Sequence, residues 1–133
     1  MLKLTRKTEY GLIALNHMQN SDSSKELHSA KEIAIKYSLP QETLAKILQQ
    51  MVKYKFVHAV KGACGGYYLD ESINKINLME FIEKIEGPLG LVDCNVSSEC
   101  SLINLCSIRK PINFINNNVK RLFKNILLSD LLK

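Results

Sequence analysis

Apolar residues recur at helical spacing in two stretches of the chain. The first stretch places apolar residues at i, i+3, i+4 and i+7, namely Leu44, Ile47, Leu48 and Met51. The second repeats this spacing with Leu78, Phe81, Ile82 and Ile85. Four apolar positions in this order form one buried stripe on an amphipathic helix. We therefore predict a helix around each stretch, the second of them capped by Asn77.

Good N-cap residues predict two further helices near the start of the chain. Thr5 can cap a first helix that runs to about Gln19. Ser29 is followed three residues later by Glu32, which is the capping-box pattern. We expect a short second helix from there to about Tyr37.

The third helix is followed by two short β-prone runs, 56–60 and 67–69, with a glycine-rich connection between them. Such a pair of runs predicts a hairpin. Three short helices and a hairpin, in that order, are typical of a winged helix-turn-helix, whose third helix enters the DNA major groove. We therefore expect a mainly α fold with a small β-hairpin wing, and a DNA-binding domain over residues 1–75. The alternative is a helical domain whose third helix only carries a polar outer face.

The candidate DNA contacts are polar or basic residues of the third helix and the wing. They are Gln41, Glu42, Thr43, Lys46 and Gln50 on the helix, with Lys61 and Gly62 on the wing. Gln, Thr, Glu and Lys side chains can pair with base edges in the major groove, and Lys also contacts phosphates.

A long apolar helix is predicted from beyond Cys106 to about Leu128. Its apolar residues alternate spacings of four and three, and we call this set the seam: Ile108, Ile112, Ile115, Val119, Leu122 and Ile126. This is the pattern of a coiled coil. We interpret the helix as a dimerisation helix within a second unit, residues 76–133, with an internal core helix as the alternative. A two-fold dimer also suits a palindromic DNA site.

Charge is distributed unevenly along the 133 residues, whose net charge is +5. Residues 1–62 contain ten Lys and Arg against five Asp and Glu, whereas residues 63–108 contain two against seven. A basic first half favours a nucleic-acid partner, although ordinary solvated faces would give the same counts. The sequence shows neither a secretory signal pattern nor an apolar run of membrane-spanning length, so we expect a cytoplasmic protein without a membrane partner.

Three of the four cysteines are regularly spaced. Cys94, Cys100 and Cys106 are six residues apart, whereas Cys64 lies in the predicted hairpin tip. Three thiolates can hold zinc or an iron–sulfur cluster. Redox-active thiols and buried free cysteines remain alternatives, since no tight Cys-x-x-Cys pair is present.

Four segments together resemble the Rrf family of bacterial winged-helix regulators. They are Leu4–Gly11, Val60–Tyr67, Ile85–Pro88 and the loop with the three cysteines. The resemblance covers essentially the whole chain. Within the family, the first and third of these segments are most similar to regulators of the Suf iron–sulfur assembly system, and next to the nitric-oxide sensors.

The resemblance implies a homodimeric transcription regulator whose three cysteines hold an iron–sulfur cluster. Of the two common types, we favour 2Fe–2S over 4Fe–4S. By the same resemblance, Glu9 on the partner's first helix is the candidate for the fourth ligand, with water, a small thiol or Asp93 as the alternatives. The IscR branch instead has a His where this chain has Arg109, and a guanidinium is not an iron ligand. That branch also has a Glu where this chain has Ala45, so its DNA preference does not transfer.

Two other functions compete with a cluster-dependent regulator. One is a regulator of the same fold that uses reactive cysteines or a protein partner. The other is a small iron–sulfur electron carrier or redox enzyme. The sequence contains no recognisable catalytic set, so we expect no enzyme activity. His17, His28 and His58 are distant from the cysteine loop in sequence, and we interpret each as an ordinary structural residue.

Overall fold

The computed structural model describes residues 4–21, 26–91 and 104–132. Its elements in chain order are α1 (Arg6–Gln19), α2 (Ala30–Tyr37), α3 (Gln41–Lys53), β1 (Val57–Val60), β2 (Gly66–Leu69), a 3-10 helix (Glu71–Lys75), α4 (Leu78–Glu86), α5 (Arg109–Lys124) and α6 (Leu128–Leu131). The predicted fold class, mainly α with a small hairpin wing, is confirmed.

Side-chain caps start three of the helices where the sequence predicted. The hydroxyl of Thr5 accepts the backbone N–H of Thr8 at 3.4 Å, and Ser29 accepts that of Glu32 at 3.0 Å. Asn77 does the same for the first turn of α4. Each cap satisfies a backbone donor that the first turn of a helix leaves without a partner.

The two predicted apolar stripes form the centre of the core. All four stripe residues of α3 and all four of α4 are buried, and both helices pack against α1. Gly11 permits the close approach of α1 to α4, because a Cβ at this position would lie 2.9 Å from Cζ of Phe81.

The wing is an antiparallel pair in which Val57 lies opposite Leu69 and Val60 lies opposite Gly66. Gly65 allows the turn to close, since a Cβ there would lie only 2.0 Å from the carbonyl oxygen of Val60. The backbone of His28 pairs with Tyr67 through hydrogen bonds of 2.9 and 2.8 Å. The segment before α2 therefore pairs with β2 through an isolated β-bridge and is attached to the wing.

The C-terminal part of the prediction was wrong about one helix boundary. Helix α5 ends at Lys124, and the chain is extended at Leu127. Here Ile126 accepts the N–H of Leu78 at 2.8 Å, and Leu128 donates to the carbonyl of Ile76 at 2.9 Å. This backbone pairing interrupts the helix although the apolar spacing continues.

After this pairing, the short helix α6 returns to the core. Leu128 and Leu132 are buried in the same hydrophobic cluster as residues of α1, α3 and α4. The cluster thus contains residues from both sides of position 75, and the division into 1–75 and 76–133 stays a prediction. Within the described ranges, none of the helices is both long and apolar enough to cross a membrane.

Candidate DNA-binding surface and cysteine site

Helix α3 presents a polar face opposite its buried stripe. Gln41, Glu42, Thr43 and Lys46 are all exposed. Behind the helix, α2 packs against it and contributes buried Ile33 and Ala34 to the core. This is the arrangement in which one helix braces another whose outer face is free to enter a groove.

Gln50 differs from the other predicted contacts on α3. It is half-buried, and its side-chain Nε2 donates to the carbonyl oxygens of Lys84 and Ile85, each at 3.1 Å. It thereby satisfies carbonyl groups at the end of α4, which an isolated helix would leave unpaired. Its contact with DNA stays a prediction, and this side chain is less available to a base edge than its exposed neighbours.

The wing tip exposes a lysine and a thiol. Lys61, Gly62 and Cys64 are exposed. Gly62 has a backbone φ of +113°, a value that residues with a side chain rarely adopt. Gly65 donates its N–H to the carbonyl of Gly62 at 3.1 Å and closes the tip. The turn therefore holds Lys61 at the outer end of the hairpin.

Glu9 lies in the first turn of α1, partly exposed, with one carboxylate oxygen 3.3 Å from the guanidinium of Arg6. A surface pair of this kind contributes about 0–1 kcal/mol, so it can be exchanged for another partner. The neighbouring Thr8 is buried, and its hydroxyl donates to Glu86 at 3.1 Å. This hydrogen bond fixes the start of α1 against the end of α4, which leads towards the cysteine loop.

The three-cysteine site is described only at its last member. Cys106 is half-buried and free, two residues before the helix cap at Ile108, whereas Cys94 and Cys100 lie outside the described residues. Arg109, where the IscR branch has its histidine, is exposed at the first position of α5. Thiolates are the soft ligands by which proteins hold iron–sulfur clusters, so three cysteines have the chemistry that such a cluster requires.

The seam on α5 is divided between the interior and the surface. Ile112 and Val119 are half-buried, whereas Ile108, Ile115 and Leu122, spaced by seven residues, are 57%, 47% and 58% exposed. On its inner side α5 is anchored by buried Asn116, whose side-chain oxygen accepts the N–H of Leu91 at 3.2 Å. An apolar strip along the outer side is therefore left uncovered within one subunit.

The structure brings two histidines together that the sequence did not connect. His17 on α1 and His28 before α2 both lie against the carboxylate of Glu32, at 3.2 and 2.7 Å. Burial raises the pKa of Glu32, but the hydrogen bonds from His28 and His17 outweigh that effect and lower the pKa below its usual value. Only the His28–Glu32 spacing of four residues could have indicated part of this cluster.

A second histidine–carboxylate contact joins the wing to the 3-10 helix. Nε2 of His58 lies 2.5 Å from Asp70, and the same carboxylate accepts the hydroxyl and the backbone N–H of Ser72. These hydrogen bonds, chiefly those from Ser72, lower the pKa of Asp70 to about 2. The sequence did not single out this group.

The three helices, the exposed face of α3 and the wing define the class, which is that of winged helix-turn-helix proteins. The chain belongs to the Rrf2 family of iron-dependent transcriptional regulators, whose sequence pattern matches residues 4–133, and it is therefore a transcription regulator rather than an enzyme. Transcription regulators of this family bind DNA.

Individual relatives agree with this assignment. The transcriptional regulator NsrR of Bacillus licheniformis is 31% identical over 114 residues, which cover 84% of this chain and 79% of that protein. The structure of CymR, the global cysteine regulator of B. subtilis, superimposes with a TM-score of 0.74 at 26% identity and covers 99% of this chain and 97% of its own. IscR of T. potens, at 24% identity, has the same fold, with a TM-score of 0.72 over 98% of this chain and 86% of its own.

Proposed function

We propose that the protein is a cytoplasmic homodimer that binds a palindromic promoter site with α3 in the major groove and the wing beside it. The observation that carries this proposal is the exposed polar face of α3, opposite a stripe that is completely buried. Gln41, Glu42 and Thr43 are available to base edges. Lys46 and Lys61 are available to phosphates, with Gly62 letting the wing backbone approach the DNA.

The proposed dimer contact is the outer strip of α5. Ile108, Ile115 and Leu122 repeat at the heptad spacing at which one helix packs against another, and a second copy of the same helix would cover them. A two-fold axis through this contact would present two copies of α3 to the two halves of a palindrome.

We further propose that Cys94, Cys100 and Cys106 hold an iron–sulfur cluster, with 2Fe–2S favoured over 4Fe–4S, and that DNA binding depends on its state. The support is the thiol spacing, the free and half-buried state of Cys106 and the iron dependence of the family. When bound, the cluster would supply a redox- and ligand-sensitive group. The signal would be iron–sulfur demand, nitric oxide or an oxidant, and the targets would include genes of iron–sulfur assembly.

Absorbance of the anaerobically purified protein, combined with iron and sulfide analysis, tests the cluster. We expect charge-transfer bands and stoichiometric iron and sulfide, both of which Cys100→Ala should abolish. The counts of iron and sulfide per subunit decide between the two cluster types. Colourless protein without sulfide after anaerobic purification would refute the proposal.

A cluster-free regulator that senses oxidants through cysteines is the second candidate. It is favoured by the exposed thiol of Cys64 at the wing tip, next to the proposed DNA contact Lys61. In that case Cys64→Ser would remove the oxidant response of DNA binding, whereas Cys100→Ala would leave DNA binding under reducing conditions unchanged.

A further inference from the structure

Three metal-ligating side chains converge at a point away from the cysteines. His17 comes from the last turn of α1, His28 from the segment paired with the wing, and Glu32 from the first turn of α2. One ligand atom from each lies within 4.8 Å of the other two. The two imidazoles meet edge to face, with ring centroids 4.7 Å apart.

The two imidazoles share a single acceptor atom. Nε2 of His17 and Nδ1 of His28 both lie against the same carboxylate oxygen of Glu32. Two histidines and a carboxylate are also a common donor set for a divalent transition metal.

We propose that His17, His28 and Glu32 bind a divalent transition-metal ion of the zinc class, with water completing the coordination. This site is independent of the cysteines and of the cluster proposed above. The histidine side chains are 10% and 7% exposed, whereas Glu32 is 49% exposed. The ion would therefore lie at the boundary between the interior and solvent, where water can reach its open side.

The distances between the ligand atoms suit such an ion. Two ligands about 2.1 Å from a tetrahedral zinc ion lie roughly 3.4 Å from each other. Nε2 of His17 is 3.2 Å from the Glu32 oxygen, close to this value, whereas Nδ1 of His28, at 2.7 Å, needs to move outward by about 0.7 Å. Nδ1 of His17 meets the hydroxyl of Tyr37 at 3.0 Å, the kind of outer contact that orients a metal-bound imidazole.

The three ligands join three parts of the DNA-binding unit. A bound ion would tie α1 to α2, which braces α3, and through the His28–Tyr67 backbone pair it would also fix the edge of the wing. The ion would thus hold the proposed DNA-binding elements in one arrangement. We expect slower hydrogen exchange at the amides of His28 and Tyr67 when the site is filled.

The test uses the untagged full-length chain with all four cysteines replaced by serine, so that thiolates cannot compete for the metal. We expect one Co²⁺ per chain with visible d–d absorption, displaced by Zn²⁺. His17→Gln, His28→Gln and Glu32→Gln should each weaken Co²⁺ binding by about tenfold or more. Zn²⁺ should slow exchange at the His28 and Tyr67 amides by at least a similar factor.

His58→Gln is the matched control, because His58 also contacts a carboxylate but lies outside the cluster. It should bind Co²⁺ like the parent chain. Should His28→Gln fail to fold, the more exposed Glu32→Gln, checked by circular dichroism, decides the question. The proposal is overturned if the cysteine-free chain binds no Co²⁺, if Glu32→Gln and His17→Gln bind it unchanged, or if His58→Gln abolishes binding.

Discussion

Asp70 shows how a single carboxylate contributes to stability in this fold. Its hydrogen bonds from Ser72 and His58 keep its pKa near 2, whereas an Asp in an unfolded chain titrates near 3.9. The native state therefore binds this proton less readily than the unfolded state. The stabilisation is complete above about pH 4 and is lost as the pH falls towards 2.

Asp70→Asn tests this linkage. We expect the urea midpoint of the wild type to fall more steeply between pH 4 and pH 2 than that of Asp70→Asn, because only the wild type must protonate a hydrogen-bonded carboxylate. Glu71→Gln, at the exposed neighbouring position, is the control and should follow the wild type. If the urea midpoints of wild type and Asp70→Asn fall in parallel between pH 4 and pH 2, Asp70 does not contribute to the pH dependence of stability.

At the scale of residues, what could be predicted from the sequence was local. Thr5, Ser29 and Asn77 cap their helices because a side chain and an N–H three residues away always come close in that conformation. Gln50 was assigned from the polar face of its own helix alone. Its actual partners are carbonyl groups more than thirty residues away, which no local pattern reveals.

At the scale of elements, α3 and the wing are the proposed DNA-binding surface, and their lysines allow a test of it. Lys46→Gln and Lys61→Gln should each weaken binding to all DNA sequences alike. Each should also lower the slope of log Kd against log salt concentration by about one unit, because each removes one positive charge from a phosphate. Binding isotherms at several salt concentrations measure this, with Lys124→Gln on α5 as the control. An unchanged slope in the double variant Lys46→Gln/Lys61→Gln would mean that this face does not dock on DNA.

Helix α5 carries the prediction on assembly. Ile115→Asp or Leu122→Asp should place a charge in the dry dimer contact and cost several kcal/mol of association free energy. Asn117→Asp introduces the same charge at an exposed polar position of the same helix and should leave the dimer intact. Sedimentation at micromolar concentration distinguishes these cases. A monomeric wild type under these conditions would contradict the proposed contact.

The end of α5 illustrates the limit of periodicity as a guide to elements. Apolar spacing continues through Ile126, so the sequence predicted helix to about Leu128. The backbone leaves the helix at Lys124 because the segment around Leu127 pairs with the residues before α4. Tertiary hydrogen bonds and burial of Leu128 outweigh local helix preference here, and neither is visible in the spacing.

At the scale of the whole molecule, the proposed cluster links two subunits through Glu9. The partner of this carboxylate within the described part of the chain is an exposed arginine, so a cross-subunit bond to iron is accessible to it. Glu9→Ala should shorten cluster lifetime in air and change promoter affinity, whereas Cys100→Ala should lose the cluster. Absorbance decay and DNA-binding titrations measure both. If Glu9→Ala behaves as wild type in each, water, a small thiol or Asp93 completes the site.

The packing of α6 into the core has a consequence for how the protein folds during its synthesis on the ribosome. Leu128 and Leu132 fill the same cluster as Leu15 and Phe81, although more than a hundred residues separate Leu15 from Leu128. Contacts between such distant positions form late in folding, since the intervening chain must first be closed into a loop. The hydrophobic cluster is therefore incomplete until residue 132 has been synthesised, and we expect shorter nascent chains to be less stable than the finished one.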